Sequence, residues 1–267
     1  MKKCIGYSYN CLIGDTTRSV AEFKAFYDAV VLIVDNSSSV AECVKTLGCL
    51  TSDQIRWMFS NYTEAQLIAT GWNSSALSNS DGSDETHLWS ELHASCPAEE
   101  IAIAGTDTVG RLSGEAEYFQ KTFFKGVEPL RKSYVSIIDH DAITQFVLDT
   151  PGAIAFNSYH AAHHAAELGL DTKFVPIKSP SGQCVTATKE TVQSLTYLPL
   201  GRLTYMYVLK SNCTALKDGL SYIEYAYSPE GQLDIEHTYG VPLTDADIAA
   251  GSSEIAALYA GCASLFL

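Results

Sequence analysis

The feature that most constrains the fold is a continuous apolar run, Ala-Val-Val-Leu-Ile-Val, at residues 29–34. Such a run is typical of a β-strand that is buried on both faces. Residues 35–39, Asp-Asn-Ser-Ser-Ser, end the run and predict a loop. The run is far shorter than the roughly 18 apolar residues that a membrane-spanning helix needs, so we predict no membrane insertion.

Further apolar segments predict that strands and helices alternate along the chain. Thr51 or Ser52 is expected to cap a helix whose apolar stripe includes Ile55 and Met58. Other predicted strands cover residues 101–104, 153–156 and 203–209, and other predicted helices begin near residue 114 and cover residues 141–148, 160–168 and 218–227. This alternation predicts an α/β fold.

Composition and charge narrow the class of protein. Hydrophobic residues make up 46% of the 267-residue chain and charged residues 18%, which is typical of a globular protein with one large domain or two smaller lobes. The net charge is -14, and the 17 lysines and arginines form no cluster, so we predict no nucleic-acid partner. A local cradle of backbone N–H groups can still bind a small anion in an acidic protein.

The eight cysteines bear on the compartment. They contain no Cys-x-x-Cys pair, which argues against a zinc ribbon or a thioredoxin-like motif. An even number spread along the chain fits disulfides and an oxidising compartment. The alternative is that they are buried thiols acting as small hydrophobic groups. Residues 1–4, Met-Lys-Lys-Cys, are followed by no apolar stretch of the kind found in signal peptides, so we expect either a cytosolic protein or a start that lies upstream.

A strand, a loop and a helix start form the strongest candidate site. Gly105-Thr106-Asp107 follows a predicted strand, and Ser113-Gly114 opens a predicted helix. A helix N-terminus offers unpaired N–H groups and partial positive charge, and serine adds a hydroxyl. The pattern therefore predicts an oxyanion site, with an ordinary helix-capping turn as the alternative.

Catalytic and cofactor motifs give no support for an enzyme. The sequence has no Gly-x-Ser-x-Gly elbow, no phosphate-binding P-loop and no Gly-x-Gly-x-x-Gly pattern. His160 and His164 have a spacing that can hold a metal, but an exposed polar helix face explains them as well. Asp139-His140-Asp141 could act as acid–base groups or form a solvated loop. We predict no catalytic residue, no metal and no cofactor.

Several motifs together resemble the phosphate-binding proteins of ABC importers. They run in the order found in that family, from about residue 28 to residue 243, and comprise Cys49-Leu50-Thr51-Ser52-Asp53-Gln54, Trp89-Ser90-Glu91-Leu92 with Cys96-Pro97, Ile101 to Asp107, Ser113-Gly114 with Glu117-Tyr118-Phe119, Pro151-Gly152-Ala153-Ile154-Ala155-Phe156, Tyr197-Leu198-Pro199-Leu200-Gly201-Arg202 and Gly240-Val241-Pro242-Leu243.

The resemblance implies a type 2 periplasmic-binding-protein fold, α/β, with two lobes, mixed sheets and a hinge. It assigns residues 1–37 and 199–267 to the first lobe and residues 38–198 to the second. The first lobe is expected to be incomplete, because the family's N-terminal Gly-Ser-Thr loop has no counterpart here. The implied function is a periplasmic or extracellular receptor, not an enzyme, which binds phosphate or a similar oxyanion for uptake through a membrane permease.

The resemblance also selects the ligand-binding residues. They are Thr106, Asp107, Arg111, Ser113, Gly114 and Arg131, with either arginine supplying the charge. Glu115 departs from the family pattern, which has a threonine there, and a carboxylate beside an anion is repulsive. Two other readings stay open: a homologue that binds no ligand and acts as an interaction or surface protein, and a phosphate-ester hydrolase on the same scaffold.

Overall fold

A computed structural model describes residues 20–79, 86–106, 113–125, 128–210 and 213–263. Two of the predicted site residues, Asp107 and Arg111, lie outside these ranges. The strands are β1 (Val20–Asp35), β2 (Ala102–Thr106), β3 (Val135–Ile137), β4 (Ala153–Ser158), β5 (Thr172–Phe174), β6 (Ile177–Lys178), β7 (Cys184–Val185) and β8 (Gly201–Leu209).

The helices connect these strands and cover their faces. They are α1 (Ser39–Leu47), α2 (Ser52–Phe59), α3 (Glu64–Ala69), α4 (Trp89–Leu92), α5 (Gly114–Phe123), α6 (His140–Asp149), α7 (Tyr159–Glu167), α8 (Lys189–Gln193), α9 (Cys213–Tyr227), α10 (Pro229–His237) and α11 (Asp245–Ala263), with a short 3-10 helix at Ser74–Ala76. The predicted alternation of strands and helices is confirmed.

The chain divides into two compact units. The first contains the described residues up to Tyr27 and from Leu203 onward, and the second contains Asp28–Arg202. We refer to them as unit 1 and unit 2. The lobe boundaries that the resemblance implies, residues 1–37 with 199–267 and residues 38–198, stay a prediction.

The sheet of unit 2 is mixed. Its strands lie in the order β3-β2-β4-β1-β5, with β2 parallel to β3 and β4, and β1 antiparallel to β4 and β5. The predicted strand at residues 29–34 is the second half of β1, and all six of its side chains are fully buried. A strand buried on both faces needs helices on both sides of the sheet, and the α/β fold class is thereby confirmed.

Aromatic side chains fill the space between the sheet and helices α2 and α5. The rings of Phe119 and Phe156 stack with their centroids 4.4 Å apart, and Phe59 meets Phe119 edge-on at 4.9 Å. Gly105 in β2 lies against this stack, and a Cβ there would come within 2.4 Å of the Phe156 ring. Glycine is therefore required at the strand end that precedes the candidate site.

Side-chain caps fix where the helices begin. Thr51, one of the two predicted caps, caps α2 and also forms a reciprocal pair of hydrogen bonds with Gln54. Ser113 caps α5 and Ser158 caps α7 in the same side-chain-to-backbone manner. Each cap satisfies an N–H group that the helix itself leaves unpaired.

Two disulfides link the elements of unit 2. Cys43 in α1 bonds to Cys96, and Cys49 bonds to Cys184 in β7. These bonds confirm the disulfide prediction for four of the eight cysteines. By closing long loops they restrict the unfolded chain, which is the main way in which such bonds stabilise a protein.

Unit 1 pairs the first half of β1 with β8 and packs helices α9, α10 and α11. Tyr27 donates a 2.7 Å hydrogen bond to the Asp247 carboxylate, which also binds the Lys24 ammonium. Burial raises the pKa of Tyr27 to about 12, and the Asp247 carboxylate adds to this. No helix in the described part of either unit combines the length and apolarity needed to cross a bilayer.

Candidate anion site

The site is built on the start of helix α5 in unit 2. The Ser113 hydroxyl accepts a 3.0 Å hydrogen bond from the Ala116 N–H, which leaves the N–H groups of Gly114 and Glu115 without an intrahelical partner. Gly114 is exposed, and a Cβ there would meet nothing within 4 Å. The helix start is therefore open to a small anion, which its partial positive charge would attract.

Thr106 and Ser113, two of the predicted site residues, lie together. Their hydroxyl oxygens are 2.5 Å apart. Thr106 is the last residue of β2, and its backbone carbonyl accepts a 2.7 Å hydrogen bond from the Tyr134 hydroxyl. The end of the strand is thus fixed beside the start of the helix, and three predicted residues, Thr106, Ser113 and Gly114, occupy one place.

The structure adds Arg202, which sequence reasoning did not select. Its Nη1 donates a 3.1 Å hydrogen bond to the Gly114 carbonyl, so the guanidinium lies at the start of α5. Asp28 holds it through one carboxylate oxygen, at 2.9 Å from Nε and 2.6 Å from Nη2. Arg202 ends the segment 197–202 that resembles a family turn, and this was the only signal for it in the sequence.

The ring of Tyr118 contacts the Arg202 guanidinium. The guanidinium carbon lies 5.0 Å from the centre of the Tyr118 ring, within the range of a cation–π contact. The Tyr118 hydroxyl donates to the carbonyls of Pro199 and Gly201 at 2.8 and 3.0 Å. One side chain of α5 therefore fixes both the guanidinium and the backbone just before it.

A second carboxylate faces the same guanidinium. Glu115 Oε1 is 3.8 Å from Arg202 Nη2, the same nitrogen that Asp28 Oδ2 contacts at 2.6 Å. Two carboxylates around one guanidinium leave a local charge of about -1 if all three are ionised. The repulsion between Glu115 and a bound anion, which the sequence leads us to expect, stays a prediction.

Histidines line the neighbouring strand end. β2 and β4 are parallel, so their carboxyl ends meet at one edge of the sheet. His140 Nδ1 lies 2.5 Å from Asn157 Oδ1, and the rings of His140 and His160 are 5.9 Å apart. Partial burial lowers the pKa of His160, and the Asp28 carboxylate opposes this shift.

Arg131 is placed differently from the other predicted residues. It is buried, and its Nη1 donates a 3.1 Å hydrogen bond to the backbone carbonyl of Met58 at the end of α2. Burial lowers its pKa, opposed by Glu100 and Glu91. The contacts of its guanidinium are with the core around α2, and a role for Arg131 in anion binding stays a prediction.

The histidines at residues 160 and 164 have the spacing of metal ligands, so possible partners for them matter here. Among the described residues, histidine, cysteine, aspartate and glutamate side chains form no group of three or more that could hold a metal ion. His160 and His164 therefore have no third ligand of these types within the described ranges.

Comparison with solved structures identifies the fold. A protein from Planctomyces limnophilus, described as a possible phosphate-binding protein, superposes with a TM-score of 0.64 over 90% of this chain and 73% of its own, at 20% identity. PstS from Borrelia burgdorferi gives a TM-score of 0.55 at 16% identity, over 84% of this chain and 73% of its own. An ABC-type phosphate transport receptor from Vibrio cholerae gives 0.55 at 14% identity, over 83% and 72%.

The chain has the fold of phosphate-binding proteins. The family resemblance seen in the sequence is thereby confirmed at the level of fold. No protein-family profile matches the sequence, and no curated protein sequence matches it significantly. The similarity to solved structures is one of fold, because every identity quoted is 20% or lower.

Proposed function

We propose that this chain is a non-enzymatic receptor that binds phosphate or a similar small oxyanion. The observation that supports this most is that three kinds of donor lie around the start of α5. They are the N–H groups of Gly114 and Glu115, which have no intrahelical partner, the hydroxyls of Thr106 and Ser113, and the guanidinium of Arg202. Structural neighbours that are named as phosphate-binding proteins support the same choice of ligand.

Each donor has a defined part in the proposed site. The N–H groups would bind anion oxygens along the helix axis, where the helix dipole favours negative charge. Arg202, oriented by Asp28 and Tyr118, would donate charge-assisted hydrogen bonds from the side. Bonds of this type contribute about 1.5–3 kcal/mol each. Asp107, Arg111 and Arg131 stay in the proposal as predicted contacts.

Transport is the finer part of the proposal. A receptor of this type would act in the periplasm or outside the cell and deliver its anion to a membrane permease. Neighbours named as transport receptors support this role. The two disulfides support an oxidising compartment, because cytosolic proteins of ordinary organisms seldom keep structural disulfides.

The lobe assignment is also proposed. We expect residues 1–37 with 199–267 to form one lobe, and residues 38–198 to form the other. The fold shared with phosphate-binding proteins supports a two-lobed division. Limited proteolysis followed by mass spectrometry would test it, with first cuts expected near residues 37 and 199. First cuts well inside residues 38–198 would contradict it.

One observation favours a second candidate, a homologue that binds no ligand. Asp28 and Glu115 both lie beside Arg202, so its charge is already compensated. In such a protein the carboxylates would replace the anion, and Arg202 would serve only to join α5 to the segment that enters β8. No contact in the described part of the chain favours a phosphate-ester hydrolase.

Calorimetric titration of the wild-type protein with phosphate, and separately with sulfate, decides between these candidates. The proposal expects saturable heat with one anion bound per chain. The absence of heat with both anions would favour the homologue that binds no ligand. An assay with p-nitrophenyl phosphate completes the test, since turnover by the pure protein would favour an enzyme.

A further inference from the structure

A cavity separate from the candidate anion site lies wholly within unit 1. It has a volume of about 430 Å³ and lies between the strands β1 and β8 on one side and the helices α9 and α10 on the other. Its wall includes Tyr205, Tyr222, Tyr225 and Asp234, with Met206 and Ile235 supplying apolar surface. We call it the tyrosine pocket. None of its residues belongs to the candidate anion site.

The three tyrosines present much of their surface to solvent. Their exposed fractions are 41% for Tyr205, 67% for Tyr222 and 46% for Tyr225. Scattered single apolar residues on a surface are normal, but three aromatic rings around one concavity form a patch of the kind that marks a binding surface. The pocket volume lies within the range of small-molecule sites, about 300–1,000 Å³.

The pocket has negative electrostatic character. The Tyr225 hydroxyl donates a short hydrogen bond to the Asp234 carboxylate. This bond raises the pKa of Tyr225, and the nearby Glu230 carboxylate adds to the shift. The wall contains no lysine or arginine among the described residues. The faces of aromatic rings are also negative, so rings and carboxylate act in the same direction.

The two threonine hydroxyls of the wall bond to backbone carbonyls of the protein. The Thr204 hydroxyl donates to the Phe26 carbonyl at 2.8 Å. The Thr238 hydroxyl donates to the carbonyls of Asp234 and Ile235. An anion requires positive charge, so it does not match this apolar, aromatic and negatively charged wall.

We propose that the tyrosine pocket binds a small alkylated ammonium ion of the choline type. The methyl groups of such a cation would pack against ring faces and against Met206 and Ile235, while its charge would face the rings and Asp234. Aromatic side chains recognise quaternary ammonium groups in this way, through the attraction of the cation to the ring quadrupole. The site is separate from the proposed anion site and does not depend on it.

The test is a calorimetric titration of the whole chain with choline, paired with 3,3-dimethyl-1-butanol. The alcohol has the shape of choline but no charge, so it isolates the contribution of the cation. Binding of choline at least tenfold tighter than the alcohol is expected. Tyr222→Ala and Asp234→Asn should each weaken choline binding about 3- to 30-fold, as expected for cation–π and charge contacts of about 0.5–2 kcal/mol.

Leu233→Ala provides the matched control, because Leu233 lies next to Asp234 in α10, is 49% exposed and does not line the pocket. The Leu233→Ala variant should bind choline with the affinity of the wild type. Equal binding of choline and the neutral alcohol would overturn the proposal, as would undetectable binding of choline at tens of millimolar. Unchanged choline affinity in both Tyr222→Ala and Asp234→Asn would overturn it too.

Discussion

Unit 2 contains two arginine–carboxylate pairs of similar chemistry in different surroundings. In the pair of Arg56 and Glu128 the side chains are 3% and 0% exposed, whereas in the pair of Arg202 and Asp28 they are 16% and 13% exposed. Arg56 is bonded to both oxygens of Glu128 and to the Thr70 hydroxyl. Arg202 uses one oxygen of Asp28 and a backbone carbonyl at the start of α5.

The two arginines differ in whether a ligand could reach them. The N–H donors of Arg56 bond to protein acceptors in the core. Replacing Glu128 would therefore leave the guanidinium buried without a counter-charge. Arg202 is partly exposed and lies at the start of α5, so an anion could reach it without unfolding the core. Burial and partners, rather than residue type, separate a structural arginine from a candidate binding arginine.

The largest expected effect is on the buried pair. Glu128→Gln should lower the free energy of unfolding by about 3–5 kcal/mol, because it leaves the Arg56 guanidinium buried without a counter-charge. Urea denaturation would measure this. The control is Glu42→Gln in the exposed pair with Lys45, where a change below about 1 kcal/mol is expected. Similar effects at both positions would show that burial does not determine the cost of losing the carboxylate.

Arg202→Ala should have its main effect on binding. We expect phosphate affinity to fall about 30- to 150-fold, equivalent to about 2–3 kcal/mol, because charge-assisted hydrogen bonds are lost. Calorimetry would measure the affinity, and Arg202→Lys should recover only part of it, since lysine lacks the planar fork. An unchanged affinity in Arg202→Ala would show that the anion binds elsewhere.

Glu115→Thr should change binding in the opposite direction. Removing the carboxylate near Arg202 removes a competitor for the guanidinium, so phosphate should bind about 1–2 kcal/mol more tightly. The matched control is Glu117→Thr, which removes a carboxylate from the same helix, where it pairs with Lys121 instead. Equal changes in the two variants would indicate a general charge effect along α5.

Asp247 in unit 1 is a charged group whose contribution to stability depends on pH. Burial raises the pKa of Asp247, but hydrogen bonds from Lys24, Thr244 and Tyr27 outweigh it and hold that pKa well below its usual range. The ionised carboxylate therefore stabilises the folded state above about pH 4, and this contribution is lost as the pH falls.

Asp247→Asn should make the acid dependence of stability shallower, by up to about 1.4 kcal/mol per pH unit below pH 4. Urea denaturation at several pH values would show it. The exposed Asp245→Asn variant, two residues away, should keep the wild-type slope. A slope that is the same for Asp247→Asn and the wild type would contradict the sign assigned to this carboxylate.

Local patterns explain what could be predicted from the sequence. The apolar run at residues 29–34 required burial on both faces, and the caps Thr51 and Ser113 lie where hydroxyl residues precede helical segments. Arg202 could not be found in this way, because its contact with Gly114 joins residues 88 positions apart. The positive charge of Arg131 and its place near the family motif favour a role in anion binding. Its hydrogen bond to Met58 could not be predicted, because that contact depends on tertiary structure.

The most direct measurement is a ¹H–¹⁵N NMR titration of the wild-type protein with phosphate. The central claim is that the anion binds at the start of α5, on the N–H groups of Gly114 and Glu115. These two amide signals should show large, saturable shifts, because their hydrogens would point at the anion, while the amide of Arg56 in the core should move little. Saturable shifts that leave Gly114 and Glu115 unchanged would contradict the account.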